Sequence, residues 1–416
     1  MLPENSADLL AFYTQHLEQQ ILPFWLKQVD HEHGGVFTCI SNDGREHISN
    51  DKFTWSQGRF VWMMARAAAL SQKGLLSKPS STYLKIAEKT VSFLEQNVIM
   101  ENGHCAYLLD AKGKPKEFLP GEGHDISYFA DCFVILGFSE YARVTKDNRL
   151  LEKALELYDT LKCRLEMGQA RSEPYPIPEG CQAQARFMIM LNVSQELEAA
   201  LYDLGHLRAN ELTADSLDYL EMLFGTFLAE DNSLKEIICA DKRGTILTNH
   251  RTPGHAIECM WFVMETARQH GLKGRVEQAI KVVKRSFELG WDSVHGGLFR
   301  FVDAHGKAPK GDAKTRFEQL ILETWDTKIW WPHSEALYAS MLGFHLTGDP
   351  ELLEMHQKVH DYTFATFPHP DEKVGEWIQI RDRQGKPLEK VVALPVKDPY
   401  HIARNLLLMV ELLAEK

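Results

Sequence analysis

Two kinds of helical segment alternate along the chain. The first kind has apolar residues at i, i+3, i+4 and i+7 and charges on the far side, as in "TYLKIAEKTVSFLEQN", which is typical of an outer helix with one buried face. We predict such helices over 7–25, 82–97, 149–166, 214–229, 273–288 and 350–366. The second kind is apolar on nearly every side after a polar first turn, which predicts an enclosed inner helix. We expect these over 57–71, 128–142, 186–201, 255–268, 333–346 and 401–414.

A second periodic feature supports six helical hairpins. Short Asx/Gly turns recur at 41–46, 110–115, 241–246, 303–308 and 382–387, and most follow an aromatic or β-branched run such as "GGLFRFV". The spacing is roughly 65–70 residues, with one gap of about twice that length, where "SEPYPIPEGCQ" (172–182) stands in place of a turn. The pattern predicts an all-α fold, an (α/α)6 barrel with short β-hairpins at one end, as a single domain over 1–416. An open solenoid is the alternative, but its atypical capping repeats are not evident.

Composition narrows the function classes. The formal net charge of −12 disfavours nucleic acid as a partner, since that partner needs a basic surface, but it does not disfavour a sugar. The seven cysteines are scattered without a CxxC pair, which indicates neither a zinc ribbon nor a disulfide framework. The first residues lack the basic and apolar regions of a signal peptide, and no stretch approaches 18 uninterrupted apolar residues. We therefore expect a cytoplasmic protein in a reducing compartment, without a membrane span.

Three inner helices begin with a proline followed closely by a histidine. The segments are "TPGHAIE" with His255, "WWPHSEA" with His333 and "DPYHIAR" with His401. If the inner helices run parallel, these histidines meet at one mouth of the barrel. The positive end of the helix dipole disfavours an imidazolium, which predicts the neutral imidazole that a general base requires. A capping or packing role is the alternative for each of them.

Other polar or aromatic residues near inner-helix starts are candidates for substrate binding: Arg59, Glu258, Trp330, Trp331, Arg186 and Asn192. Arg59 suits an oxyanion, with an ion pair to an inner carboxylate as the alternative. Glu258 follows His255 by one turn on the same face, where it can orient the ring or bind a hydroxyl, with a structural ion pair as the alternative. We predict no metal site, because "HEHGG" (31–35) lacks an established ligand spacing and reads better as a turn. No phosphate-binding loop is visible either.

Several motifs together resemble the N-acylglucosamine 2-epimerase (renin-binding protein) family. They are "EHGGVFTCISNDGR" (32–45), "KFTWSQGRFVWM" (52–63), "TPGHAIECMWF" (252–262), "GWDSVHGGLFRF" (290–301), "KIWWPHSEAL" (328–337), "GEWIQIRDRQGKP" (375–387) and "YHIARNL" (400–406). The wider superfamily includes cellobiose 2-epimerases and mannose-type aldose–ketose isomerases. The resemblance implies an (α/α)6 barrel and an enzyme that interconverts N-acetylglucosamine and N-acetylmannosamine.

The resemblance also implies roles for individual residues. His255 and His401 match the acid/base pair at the sugar C2, and Arg59 matches the arginine that binds substrate oxygens. Glu258 would support the site, while His333 and Glu335 belong to a motif that lines the same pocket. No metal or redox cofactor is implied. A nucleotide such as ATP, an effector of some family members, cannot be read from the sequence, and a homodimer is expected only by analogy.

The implied reaction is consistent with elementary chemistry. After ring opening, the C2 proton of an aldose is α to a carbonyl, and its removal gives an enediolate that an arginine can stabilise. Return of the proton to the opposite face inverts C2, whereas return to C1 gives a ketose. The extra histidine of the cellobiose epimerases and the isomerases is replaced here by Asn192, which favours the N-acylglucosamine branch. Arg186 and the loop at 120–125 do not match that branch.

Three alternatives remain open from the sequence. The first is an aldose–ketose isomerase or 2-epimerase acting on unacetylated mannose- or glucose-type sugars. The second is an inverting glycosidase, which needs two carboxylates flanking the bond, for example two of Asp131, Glu258, Glu335 and Glu376. The third is a non-catalytic binding protein, which the intact histidine pair disfavours.

Overall fold

The computed structural model describes residues 6–241, 244–389 and 395–415. The helices are α1 (Ser6–His16), α2 (Leu22–Lys27), α3 (Thr54–Gln72), α4 (Ser80–Asn97), α5 (Tyr128–Thr145), α6 (Asn148–Glu166), α7 (Gln184–Asp203), α8 (Ala209–Met222), α9 (Ile246–Asn249), α10 (Pro253–Gln269), α11 (Lys273–Gly290), α12 (Arg316–Thr324), α13 (Trp330–Thr347), α14 (Pro350–Thr366) and α15 (Tyr400–Ala414). The strands are β1 (Lys52–Phe53), β2 (Leu108–Leu109), β3 (Pro115–Lys116), β4 (Cys181–Ala183), β5 (Ile237–Cys239), β6 (His250–Arg251), β7 (Val302–Asp303), β8 (Lys328–Ile329) and β9 (Ile380–Arg381).

Six of the described helices form a closed inner ring. In order around the ring they are α3, α5, α7, α10, α13 and α15, and α15 packs back onto α3. An outer helix covers each member, with α4, α6, α8, α11 and α14 each following its inner partner in the chain. The sixth outer helix is α1, which packs on α15 and so joins the two ends of the described chain. This closure confirms the (α/α)6 barrel rather than the open solenoid.

The two helix types differ in burial as the polarity pattern predicts. In the inner helix α5, 13 of 18 residues are buried, including residues on every side. The outer helix α6 buries one stripe that includes Leu150, Leu151, Ala154, Leu157 and Leu161, spaced three or four residues apart. A stripe of this kind stabilises a helix only when it packs against another element, and here that element is α5.

Most predicted helix limits agree with the structure to within a few residues, but two features were not predicted. The segments Leu17–Ile21 and Leu223–Phe227 continue their helices in π-helical form. The short helices α9 and α12 lie in the connections before α10 and α13. These connections carry their own small apolar cluster of Ile246, Phe301 and Ile321.

The short strands tie successive repeats together at one end of the barrel. The strands before α3, α7, α10 and α13 pair antiparallel with the run that follows the next outer helix, as β1 with β2, β4 with β5, β6 with β7 and β8 with β9. Strands β2 and β3 form a hairpin around the predicted turn at 110–115. Within the turn predicted at 241–246, positions 242 and 243 lie outside the described residues. Strand β5, which precedes this segment, pairs with β4, the earlier strand before α7.

The two "HGG" segments form equivalent turns, each closed by an aspartate and a lysine. Asp30 accepts hydrogen bonds from the backbone N–H groups of the next turn, and its carboxylate lies 2.7 Å from Lys52 Nζ. In the second copy, Asp292 likewise receives backbone N–H groups and lies 3.3 Å from Lys328 Nζ. Each lysine also donates to the carbonyl of a turn glycine, Gly34 or Gly297. The structural interpretation of "HEHGG" is therefore confirmed.

One covalent feature contradicts the sequence analysis. Cys181 of β4 and Cys239 of β5 form a disulfide, although no disulfide was indicated by the spacing of the cysteines. The two residues are 58 positions apart and become neighbours only through the register of the strand pair. Among the described helices, none has the length and apolar character needed to cross a membrane.

Candidate active site

The starts of the six inner helices surround one cavity of about 240 Å³. Every inner helix contributes a side chain from its first three turns, including Arg59 of α3, Phe133 of α5, Met188 of α7, His255 of α10, Trp331 of α13 and His401 of α15. The strand pairs lie at this same end, because four of these helices follow directly from a strand. The barrel therefore brings together residues that are far apart in the sequence, as the parallel arrangement of inner helices predicts.

His401 is held in position by a buried carboxylate. Its Nδ1 lies 2.6 Å from Glu335 Oε1, and because an ionised carboxylate only accepts, Nδ1 carries the hydrogen. This leaves Nε2 as the nitrogen that can reach a substrate. Burial opposes ionisation of Glu335, but Arg404 and His401 outweigh it and hold the pKa of Glu335 at about 2. Trp261 Nε1 donates to the second oxygen of Glu335 at 2.6 Å.

His255 has the same arrangement with a different carboxylate. Its Nδ1 lies 2.8 Å from Glu236 Oε1, so its Nε2 also remains for a substrate. Burial lowers the pKa of His255, but the charges of Glu236 and Glu258 more than offset it, and the net pKa is raised above its ordinary value. The helix dipole alone predicts the opposite direction for the pKa of His255. The paired carboxylate outweighs the dipole.

Trp331 lies against both histidines. Its ring is stacked on His255 with centroids 4.9 Å apart and is tilted against His401 at 5.8 Å. Gly254, one residue before His255, permits this contact. A Cβ atom at Gly254 would come within 2.5 Å of Trp331 Cζ3, so only glycine lets the indole lie on the first turn of α10.

Arg59 lines the cavity and also forms an ion pair. Its Nη1 lies 3.0 Å from Asp398 Oδ1, so the ion pair given as the alternative is formed, while oxyanion binding by this cavity-lining residue stays a prediction. The second oxygen of Asp398 accepts the backbone N–H of His401 at 2.9 Å and the indole N–H of Trp330 at 3.2 Å. Burial raises the pKa of Asp398, but the opposing effect of His401 and Arg59 is larger, so the net pKa lies below its ordinary value. Asp398 thus fixes Arg59 and the start of α15 together.

Arg404 occupies the space between two acidic residues. Its Nη2 lies 2.6 Å from Glu258 Oε1 and 2.5 Å from Glu335 Oε1. Glu258, Glu335 and His401 bring ligand-type atoms within 4.8 Å of one another, which is a spacing that can hold a metal ion. A fixed guanidinium already lies among these atoms and supplies the positive charge, so this cluster is better described as a buried ion-pair network. Glu258 pairs with Arg404, which is the structural ion pair that the sequence left open as the alternative to a contact with the His255 ring.

Four candidate residues from the sequence do not line the cavity, namely His333, Asn192, Glu335 and Arg186. His333 is fully buried, receives the Leu298 N–H at Nε2 and bonds the Ile329 carbonyl through Nδ1. Burial lowers the pKa of His333 to about 3, which suits this structural role. Asn192 is buried on α7 beyond Met188 and Ile189, and Glu335 lies behind His401. Arg186 donates to the Leu165 carbonyl instead.

Three residues at the site were missed by sequence reasoning, namely Glu236, Asp398 and Arg404. Glu236 comes two positions after Leu234, which forms a bridge in its repeat, just as Arg300 comes two positions after Leu298 in the next repeat. A charged residue at the same place in two equivalent runs is the signal that could have identified Glu236 and Arg300, although Lys235 beside Glu236 makes it weaker in the first run. Arg404 could have been found as the one arginine inside the apolar helix 401–414, three residues after His401.

The carboxylate pairs required by a glycosidase are not formed by the predicted residues. Of the four candidates, only Glu258 lines the cavity. Asp131 is paired with Arg164 at 2.6 Å, and Glu376 is paired with Lys397 at 2.8 Å. The carboxylates that do line the cavity in the described residues, Glu236, Glu258 and Asp398, each contact a histidine or an arginine.

Comparison with known proteins gives a consistent assignment. Residues 35–404 match the family model of N-acylglucosamine 2-epimerase. The N-acylglucosamine 2-epimerase of Bos taurus is 31% identical over 407 residues, covering 95% of this chain and 89% of the bovine protein. The structure of cellobiose 2-epimerase from Bacillus thermoamylovorans matches with a TM-score of 0.78 at 21% identity, covering 97% of this chain and 99% of the other. A D-mannose isomerase structure matches with a TM-score of 0.77 at 16% identity, with 99% of both chains covered.

Proposed function

Since this chain belongs to the N-acylglucosamine 2-epimerase family and is thus an enzyme acting on carbohydrates, we propose that it interconverts N-acetylglucosamine and N-acetylmannosamine. The observation that carries the proposal is the pair of histidines at one cavity. Each has its Nδ1 on a carboxylate and its Nε2 available, and both contact Trp331.

The proposed reaction moves one proton off C2 and one proton back. The open-chain sugar presents C2 next to the C1 aldehyde, so the C2–H bond is acidic enough for an imidazole to cleave. One histidine takes this proton, and the bonding electrons pass to the aldehyde oxygen to give an enediolate-type anion. The other histidine, as an imidazolium, then protonates C2 on the opposite face, and the carbonyl reforms. No oxidant or reductant enters the balance.

The cationic groups of the cavity support the anionic intermediate. Arg59 and Arg404 line the same cavity as the two histidines and are each fixed by a carboxylate partner. Donors fixed before the reaction stabilise developing charge without reorganising, which is the main source of catalysis in sites of this kind. Glu236 and Glu335 act as positioning residues that fix the tautomers of the two rings.

The experiment is proton NMR of N-acetylglucosamine in D2O with the purified protein. We expect deuterium at C2 and the appearance of N-acetylmannosamine, with both lost in His255→Asn and His401→Asn. Absence of C2 exchange with the wild-type protein would overturn the proposal. A ketose product from mannose or glucose, without exchange in the N-acetyl sugars, would instead support the isomerase alternative.

A further inference from the structure

Glu236, the carboxylate that holds His255, lies at the end of a short strand pair. Strand β4 pairs antiparallel with β5, and at one end of the pair Cys181 stands opposite Cys239. At the other end the backbone N–H of Gln184 donates to the Glu236 carbonyl at 2.9 Å. The side chain of Glu236 then reaches His255 Nδ1 at 2.8 Å. The position of this carboxylate therefore depends on the β4–β5 pair.

The carboxylates that hold the two histidines differ in their support. Glu335, the partner of His401, lies inside α13, where the hydrogen bonds of the helix fix its backbone. Glu236 directly precedes β5, and its segment is held on the other side by a bridge between Leu228 and Leu234. A two-stranded ribbon is only marginally stable in water. A covalent bond between β4 and β5 therefore contributes more to the position of Glu236 than to that of Glu335.

The Cys181–Cys239 disulfide supplies this bond in an accessible place. The equivalent pairs β1–β2, β6–β7 and β8–β9 contain no cysteine, so the bond is particular to this repeat. It packs against Ala183 and Ile237, which line the cavity. Both of its cysteines are partly exposed, whereas four of the five free cysteines are buried. An accessible disulfide can exchange with an external dithiol, whereas buried cysteines are inert.

We propose that Cys181 and Cys239 form a thiol–disulfide switch that acts on His255 through Glu236. In the oxidised protein the bond holds β4 against β5 and keeps Glu236 on His255. In the reduced protein the strand pair loosens, Glu236 leaves His255 more often, and epimerisation slows. The inference rests on the proposed function, which makes His255 a proton carrier. Glu236 is the positioning residue that transmits the change.

A dithiol is the class of reductant that operates the switch, and the exchange balances. A thiolate of the dithiol attacks one sulfur of the protein disulfide, the S–S bond breaks, and a mixed disulfide forms. The second thiol of the reductant then displaces the remaining cysteine. The reductant leaves as a disulfide, and its two electrons and two protons remain on Cys181 and Cys239. An external disulfide reverses the same steps.

The test measures C2 deuterium exchange of N-acetylglucosamine with protein that is kept oxidised or is reduced with dithiothreitol. A thiol count in denaturant reports the state, with five thiols in the oxidised protein and seven in the reduced one. On reduction we expect kcat/KM to fall by about 10-fold or more, because small displacements of positioning groups have effects of this order. Reoxidation with oxidised glutathione should restore it.

The pH profile separates this switch from a merely structural bond. In the reduced protein the alkaline limb of kcat/KM should move to lower pH, because Glu236 raises the pKa of His255 less when it is displaced. In Glu236→Gln, reduction should leave this limb where it is. A fall in kcat/KM without a shift of the limb would overturn the route through Glu236.

Variants of the cysteines complete the experiment. The double variant Cys181→Ser, Cys239→Ser should resemble the reduced protein and no longer respond to dithiothreitol. Cys163→Ser is the matched control, because Cys163 is an exposed free cysteine on the outer helix α6, and this variant should respond as the wild type does.

Four other results would overturn the switch. Equal kcat/KM values and pH profiles in the two states would do so while leaving the epimerase in place. Seven thiols after treatment with oxidised glutathione would show that the bond does not form. Loss of exchange together with loss of the helical circular dichroism signal would make the bond purely structural. Exchange in neither state would overturn the proposed function, and the inference with it.

Discussion

Replacing Glu236 with glutamine separates the charge of this residue from its shape. The variant keeps a side-chain acceptor near His255 Nδ1, where the native contact is 2.8 Å, but removes the negative charge that raises the pKa of His255. In the proposed two-histidine reaction, the active enzyme holds one proton on the pair, and loss of that proton ends activity on the alkaline side. We therefore expect the alkaline limb of the kcat/KM profile to move to lower pH in Glu236→Gln.

The size of the shift follows from Coulomb's law. Opposite unit charges about 4 Å apart attract by about 4 kcal/mol at an effective dielectric constant of about 20. At about 1.36 kcal/mol per pKa unit, this is an upper value of about 3 units. The His255 side chain is 32% exposed, and water screens part of the attraction. We expect the alkaline limb to move by about 1 to 2 units, within the range known for histidine–carboxylate pairs.

The assay is C2 deuterium exchange as a function of pH, together with NMR titration of the His255 ring. The ring titration reports the pKa directly and would not move if Glu236 only supported the fold. Glu198→Gln is the control, because Glu198 is also a buried carboxylate in contact with a histidine, 3.1 Å from His270. Glu198 lies in the second half of α7 and does not line the cavity. This variant should lower stability and leave the pH profile unchanged. An unmoved alkaline limb and an unmoved His255 titration in folded Glu236→Gln would refute the reasoning.

Three further predictions concern packing, acid stability and the disulfide. Gly254→Ala should displace Trp331 and so lower the rate of C2 deuterium exchange by about 100-fold. Gly274→Ala is the control and should keep full activity, because a Cβ at this position in the first turn of α11 meets nothing within 4 Å. Burial lowers the pKa of His333 to about 3, so the unfolded chain binds a proton at this residue first as the pH falls below about 6.5. The free energy of unfolding should therefore drop by about 2 kcal/mol per such group by pH 5. Urea denaturation that gave equal free energies of unfolding at pH 5 and pH 7.5 would contradict this. Changing both cysteines of the β4–β5 disulfide to serine opens a loop whose ends are 58 residues apart and should cost about 4 kcal/mol, measured by thermal denaturation; an unchanged transition would count against a stabilising bond.

The architecture was predictable because buried positions recur every three or four residues along a helix. A residue's position on an inner or outer face is decided by its neighbours three and four places away, so the pattern is visible locally. Ring closure was predicted from the number of repeats alone, and the pairing of α1 with α15 that achieves it has no local signal. The disulfide was missed for the same reason, since Cys181 and Cys239 meet only through strand register.

The site was predictable where it depended on helix starts. His255, His401, Arg59 and Trp331 all lie at the cavity, as the repeated proline–histidine starts and the family motifs predicted. His333 has the same type of start, but the Leu298 N–H and the Ile329 carbonyl engage both its nitrogens. The rotation of a helix about its own axis decides between these outcomes, and a single sequence does not reveal it.

The pKa of His255 shows why the helix dipole alone was a misleading guide, because contact with Glu236 shifts that pKa upwards. A helix dipole at a partly exposed site is worth about 0.3–1 kcal/mol. A carboxylate in direct contact is worth several times more, and Glu236 arrives from a segment 19 residues earlier, just before β5. The dipole was visible in the sequence and the carboxylate was not, so the weaker of the two effects determined the prediction.

The charges around the cavity suit the single proton that the proposed reaction needs on the histidine pair. Within the described part of the chain, four buried carboxylates line or directly support the cavity, and three arginines line it: Glu236, Glu258, Glu335, Asp398, Arg59, Arg300 and Arg404. One negative charge is left over, and one imidazolium balances it. The charge of Glu236 raises the pKa of His255, so the proposed reaction assigns the proton of the pair to His255. One acid and one base on the pair is what the proposed inversion at C2 requires. Removing the charge of Glu236 removes this surplus, and for that reason its loss should act on the proton of the pair rather than on the fold.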